Sequence, residues 1–148
     1  MTLSSGTGSP LMMAATAAET YYEGYLVKVT TNAVTIIEED GDATVGVVDQ
    51  STVDAEGTAR AARSGELIGV FPLGCGEVVK VASKASQTYA LGARVVNSDD
   101  VDGMSAATGD SDTDMIVGTY VGDGETTSAT DGDLIDVLLN FGPEVVDG

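Results

Sequence analysis

The sequence predicts a mainly β domain: a small barrel or sandwich of eight or nine short strands behind an extended N-terminal arm. Three observations predict it. First, 19 Val, 17 Ala, 17 Thr and 19 Gly make up nearly half of the 148 residues, against 9 Leu and 2 Phe. Val and Thr favour the pleated strand, and Gly supplies turns. Second, hydrophobic residues reach 43% and mean hydropathy is slightly positive, more apolar than a disordered chain. Third, short apolar runs recur along the chain, each bounded by Gly, Asn or Asp.

Residues 1–23 read as the arm and 24–148 as the β body. The first 18 residues carry no charged side chain. No basic n-region precedes Lys28 and the run LMMAATAA is short, so neither a secretory leader nor a membrane span is expected. Leu11, Met12 and Met13, with Tyr21 and Tyr22, are the arm's expected anchors on a partner. The alternative is an arm that frays everywhere.

The body opens with GYLVKVT (24–30), AVTIIE (33–38) and TVGVVDQ (44–50), a hairpin followed by a third strand. Thr31-Asn32 and the run 39–42 separate them. Then come GELIGVFP (65–72), EVVKVAS (77–83), ARVVNS (93–98), MIVGTYV (115–121) and DLIDVLLN (133–140). Between the sixth and seventh runs lies an acidic loop, 97–114. Helical spacing is found only at 53–63, where Gly57 interrupts it, and loosely at 11–25. GELIGVFPLG (65–74) echoes GDLIDVLLNFG (132–142), and each follows a strand containing Val-Gly, at 45–46 and 117–118. The echo fits two related units closing around one core. It equally fits a β protein reusing one kind of turn.

Composition excludes much chemistry. With no histidine there is no Ser-His-Asp triad and no imidazole metal site. A single cysteine, Cys75, makes neither an internal disulfide nor a zinc cluster, and no basic group beside it activates it. GDATVG (41–46) has P-loop glycine spacing, but Val47-Val48 stand where Lys and Ser/Thr are needed. GCGEVV (74–79) lacks the third glycine of a dinucleotide fingerprint. DSDTD (110–114) opens like an EF-hand loop, but Met115 and Val121 occupy the required glycine and glutamate positions. A looser oxygen site from Asp99, Asp100, Asp102 or Asp123 stays open, though acids are plentiful everywhere. Without tryptophan, nothing marks a sugar cleft between two chosen carboxylates. No enzyme, cofactor or metal is expected.

The charge of −18, from 24 acids and 6 bases, repels phosphate backbones, so no nucleic-acid partner is expected. On the roughly 7,000 Å² surface of a domain this size, net charges lie roughly 20 Å apart, beyond the Debye length of about 10 Å in ordinary salt. Clusters differ. Asp110, Asp112 and Asp114 stand about 7 Å apart if extended, a spacing screened only in molar salt, where the length is about 3 Å. Abundant Asp, scarce Lys and small apolar residues resemble the proteins of extremely halophilic archaea and their viruses. The bases all lie between Lys28 and Arg94, whereas 13 acids and no base follow Val95. Such asymmetry would orient the molecule on a partner, unless the acids simply occupy exposed loops.

Taken in order, GYLVKVT, VGVVDQ, GELIGVFPLGCGEVVKV, ALGARVVNS, MIVGTYV and DLIDVLLN resemble the capsid decoration, or cement, proteins of tailed viruses. That family was once described only as a domain of unknown function and at times confused with RecA-like recombinases. The missing Walker lysine removes the recombinase reading here. The resemblance covers about four fifths of the chain and implies a compact β-barrel-like body, a β-tulip, on the outer surface of an icosahedral virion. It implies a homotrimer bound to the major capsid protein, with the arm (Leu11, Met12, Met13, Tyr21, Tyr22) reaching across neighbouring subunits. Deleting residues 1–20 would then abolish capsid binding and leave a folded oligomer. The long acidic 97–114 loop departs from the family pattern. The alternative is a turret, fibre or cell-surface adhesion module.

Overall fold

The computed structural model describes residues 10–15, 20–39, 42–49, 60–61, 66–98, 101–107 and 115–145, with 60–61 and 140–145 described by their backbone. Fourteen strands and no helix are found among them. The first seven are β1 (Leu11–Ala14), β2 (Thr20–Tyr21), β3 (Leu26–Thr30), β4 (Ala33–Ile36), β5 (Gly46–Val48), β6 (Arg60–Ala61) and β7 (Leu67–Pro72). The second seven are β8 (Val78–Ser83), β9 (Thr88–Tyr89), β10 (Arg94–Asn97), β11 (Ser105–Ala107), β12 (Met115–Tyr120), β13 (Thr126–Thr127) and β14 (Asp133–Val145). All eight runs picked out by β-branched content form strands. The six that pattern did not single out have two to four residues, too few to display a period of two.

The mainly β, small-barrel fold is present twice. Strands β8, β10, β11, β12 and β14 close a five-stranded barrel in the order β10-β11-β8-β14-β12. Strands β1, β3, β4, β5 and β7 form a sheet in the corresponding order, β1-β7-β5-β3-β4, and the parallel bridge Ala15↔Val34 joins its edges. The counterpart of that bridge in the second barrel is Ser83↔Ser105, also parallel. The remaining short strands pair within each unit, β2 with β6 and β9 with β13.

The registers repeat as well. Leu11↔Val70 and Met13↔Ile68 in the first unit match Val79↔Val137 and Val81↔Ile135 in the second. Val27↔Gly46 matches Val95↔Gly118, and Val48↔Val70 matches Tyr120↔Val137. Val29↔Val34 matches Asn97↔Ser105, and Tyr21↔Arg60 matches Tyr89↔Thr126. The chain is therefore two successive copies of one seven-strand unit. The echo between 65–74 and 132–142 is the last strand of each copy, and each Val-Gly strand is the neighbour it pairs with.

Equivalent positions fill the two interiors. Tyr21, Val27, Val48, Ile68 and Val70, with Ala15, Val34 and Ile36, form the first core. Tyr89, Val95, Tyr120, Ile135 and Val137, with Val79 and Val81, line the second. Each unit buries one tyrosine near its closing bridge. The Tyr21 hydroxyl donates to the Val34 carbonyl at 2.7 Å, and the Tyr89 hydroxyl shares a 2.7 Å hydrogen bond with Ser83 Oγ. A buried hydroxyl left unbonded is costly, so each tyrosine marks a specific end of its barrel.

The two barrels share a core across the β8–β11 seam, which only one bridge closes. The Gly24 carbonyl accepts from Ala82 N (2.9 Å), and Leu26 N donates to the Gly103 carbonyl (2.8 Å). Leu26, Ile37 and Val47 of the first barrel thereby join the buried cluster of the second. Asn97 clasps the same junction, donating to the Asp42 carbonyl at 2.7 Å and accepting from Thr44 Oγ1 at 2.6 Å.

This division differs from an arm at 1–23 followed by one body at 24–148. The segment read as an arm contributes β1 and β2, which complete the first barrel, and the break between units falls near residues 73–77. Within the acidic loop 97–114, Met104, Ser105 and Ala106 are buried, and β11 is a barrel stave. Residues 99–100 and 108–114, with the DSDTD run, lie outside the described residues, as does most of 53–63.

Candidate functional site

A surface concavity of about 740 Å³ lies beside the barrel junction and is walled by Tyr25, Lys28, Thr35, Glu38, Asp102 and Asp131. Lys28 is engaged there: its ammonium sits 2.9 Å from Asp42 Oδ2 and 3.6 Å from Glu38 Oε1. The hydrogen bond to Asp42 holds the Lys28 pKa above its usual value, against an opposing desolvation effect. Partial burial pushes Asp42 upward, but the Glu38 N–H, the Lys28 ammonium and the Glu39 N–H outweigh it, so its carboxyl titrates below the usual range. Burial raises the Tyr25 hydroxyl, and Tyr22, Asp131 and Asp102 add to that. The groove is open and acidic, and Lys28, the one ammonium among the described residues that line it, is already neutralised. Such a surface suits cations or solvent better than a bound anion.

No nucleophile with an adjacent base faces this groove among the described residues. Cys75 packs against the main core, and burial raises its pKa, which disfavours the reactive thiolate. No three acidic or thiol side chains converge among the described residues as a metal site requires. Asp102 is an exposed groove residue and Asp123 lies in a separate exposed turn.

The five expected arm residues part company in the structure. Leu11 and Met12 are exposed on β1, whereas Met13 packs against the first core. Tyr21 is fully buried, so its side chain serves its own barrel. Tyr22 is exposed and meets Tyr25 in a tilted ring contact, 5.0 Å between centroids. Adjacent tyrosines on an extended chain point to opposite faces, which separates the two roles.

The other large apolar side chains found exposed are Val29, Leu67, Val78, Leu91, Leu134 and Leu138. Sequence patterning did not select them, because all but Leu91 sit in runs that read as strands and Leu91 lies between two such runs. A usable signal existed. Thr-Tyr-x-x-Gly occurs at 20–24 and again at 88–92. Extending the 65–74/132–142 echo upstream through it aligns the whole repeat and shows which surface positions differ. No protein-family model matches the chain, and no curated protein is similar to it in sequence.

Proposed function

We propose that the chain is a structural virion protein that binds the outer surface of an icosahedral capsid and cements neighbouring subunits of the major capsid protein, acting as a homotrimer and without catalysis. The observation that carries this reading is the charge contrast at the N-terminus. Eighteen residues without a charged side chain precede a body carrying the whole charge of −18, and β1 ties that stretch to the wall of the first barrel. An uncharged segment held at a defined point can add a strand to a capsid sheet edge, which needs main-chain hydrogen bonds and no particular side-chain chemistry. The acids then face solvent, in keeping with a virion from strong salt.

Cementing needs binding energy spread over several seams. A contact of roughly 1,600 Å² is tight enough when it is made by each chain of a trimer, because the second and third engagements are intramolecular. The resemblance of the strand order to decoration proteins supports the same reading. Cryo-electron microscopy of the purified particle, kept in molar salt, tests it. Expected is density for knobs on the capsid face with residues 1–9 between capsid subunits, lost when those nine residues are deleted. Density at a vertex, on the tail or nowhere overturns cementing and favours the turret, fibre or adhesion alternative.

A further inference from the structure

The contact between the two barrels is directional. The corner between β2 and β3, residues 23–26, is the head: a Cβ on Gly24 would lie 2.7 Å from Ala82 N and 2.7 Å from Leu134 Cδ2 of the second barrel. Glu23 and Phe71 line one cleft with Val78 and Lys80. The socket is thus the β8–β14 face of the second barrel.

Because the unit repeats, the second barrel carries a head of its own at 91–94, built by the same bonds. Ala93 N donates to the Ala90 carbonyl as Tyr25 N does to Tyr22, and Gly92 N donates to Tyr120 as Gly24 N does to Val48. The backbone angle agrees too, with φ of 86° at Gly92 and 85° at Gly24. Among the described residues, nothing lies within 4 Å of a Cβ built on Gly92. Leu91 is 66% exposed, and Leu138, in the place of Phe71, is 37% exposed.

The first barrel likewise carries a second socket, on β1 and β7. Its surface is apolar: Met12 is 57% and Leu67 54% exposed. Met12 and Gly69 stand where the second barrel has the Lys80–Asp136 ion pair. That exchange removes charge from the rim of the vacant socket. Four of the nine large apolar side chains found exposed (Met12, Leu67, Leu91 and Leu138) lie on the vacant head or the vacant socket.

We propose that the protein self-associates head to tail, the 91–94 corner of one copy seating on the β1–β7 face of the next and repeating between chains the contact made within each chain. Gly92 O then accepts from Ala14 N as Gly24 O accepts from Ala82 N. The β3–β4 turn is shorter than the β10–β11 turn and has no counterpart of Gly103, so the β8–β14 half of the contact is the half that recurs. A heterologous contact of this kind builds rings or filaments and not twofold dimers. Molar salt, with a Debye length of about 3 Å, removes the repulsion between two acidic chains. The inference rests on the repeat and not on the virion reading.

Sedimentation equilibrium of the full chain in molar KCl tests it. The wild type is expected to associate beyond a dimer. Met12→Glu spoils the socket and Leu91→Glu the head, and each is expected to weaken association at least about tenfold, since an apolar contact is exchanged for a carboxylate that must give up part of its hydration. Mixing the two variants leaves one intact head facing one intact socket, so 1:1 pairs and nothing larger should form. Met12→Leu and Leu91→Met should associate as the wild type does, and circular dichroism checks that every variant is folded. A monomeric wild type, unchanged association by either Glu variant, or a mixture that stays monomeric overturns the proposal.

Discussion

A β-carbon at Gly118 would run into the Leu138 carbonyl and the Val137 side chain, and one at Gly46 into the Phe71 carbonyl and the Val70 side chain. The two collisions are the same collision in two copies of the unit, where a Val-Gly strand crosses its partner too closely for any side chain. Gly46→Ala and Gly118→Ala are each expected to destabilise by about 1–3 kcal/mol, the usual cost of overpacking. Urea unfolding of both variants measures this, and an unchanged midpoint for either would show that its strand has room to shift. The Val-Gly pairs were legible as an echo, but their reason was not, because close approach is a property of two strands and sequence shows one. Tyr21 makes the same point. Beside Tyr22 at the end of a small-residue stretch it reads as an anchor for a partner, whereas its hydroxyl closes the first barrel on Val34.

Among elements, β1 decides whether the N-terminal segment is an appendage. It pairs with β7 along four residues, and Ala15 bridges to β4, so it is the edge that closes onto the opposite edge of the sheet. Deleting residues 1–15 is expected to open the first barrel, uncovering Ile68 and Val70 and replacing a cooperative melt with aggregation or a broad transition. Deleting 1–9 should leave the melting temperature unchanged. Differential scanning calorimetry separates the two, and a cooperative melt from the longer deletion would show that β1 is dispensable. This revises the expectation that a chain lacking residues 1–20 stays folded. Longer strands were readable because Val, Ile and Thr cluster in them. Short strands such as β2 and β9 were not, since two residues gain their pairing only from the fold.

For the whole molecule, the accessible surface is 7263 Å² and bears a net charge of −18. The described ion pairs are Lys28 with Asp42 and Glu38 and Lys80 with Asp136, and the sequence offers 6 bases to 24 acids. Exposed pairs contribute little, typically below about 1 kcal/mol each, so like-charge repulsion outweighs them. Raising KCl from ordinary to molar concentration is therefore expected to raise the melting temperature, because repulsion within acidic clusters is screened only when the Debye length falls to about 3 Å. A melting temperature that is flat or falls with salt would show that the acids sit too far apart to matter.

Composition by itself determined the β class, the acidic surface, the strand positions of the eight longer runs and the lack of histidine chemistry, since each is carried by residue identity or local alternation. Only the tertiary structure decided that the chain is one seven-strand unit used twice. Registers are relations between strands distant in sequence, and surface positions diverge freely while register and core positions stay equivalent. For the same reason, which apolar residues are left uncovered, Met12 and Leu91 among them, follows from where each barrel meets the other and not from any run of residues along the chain.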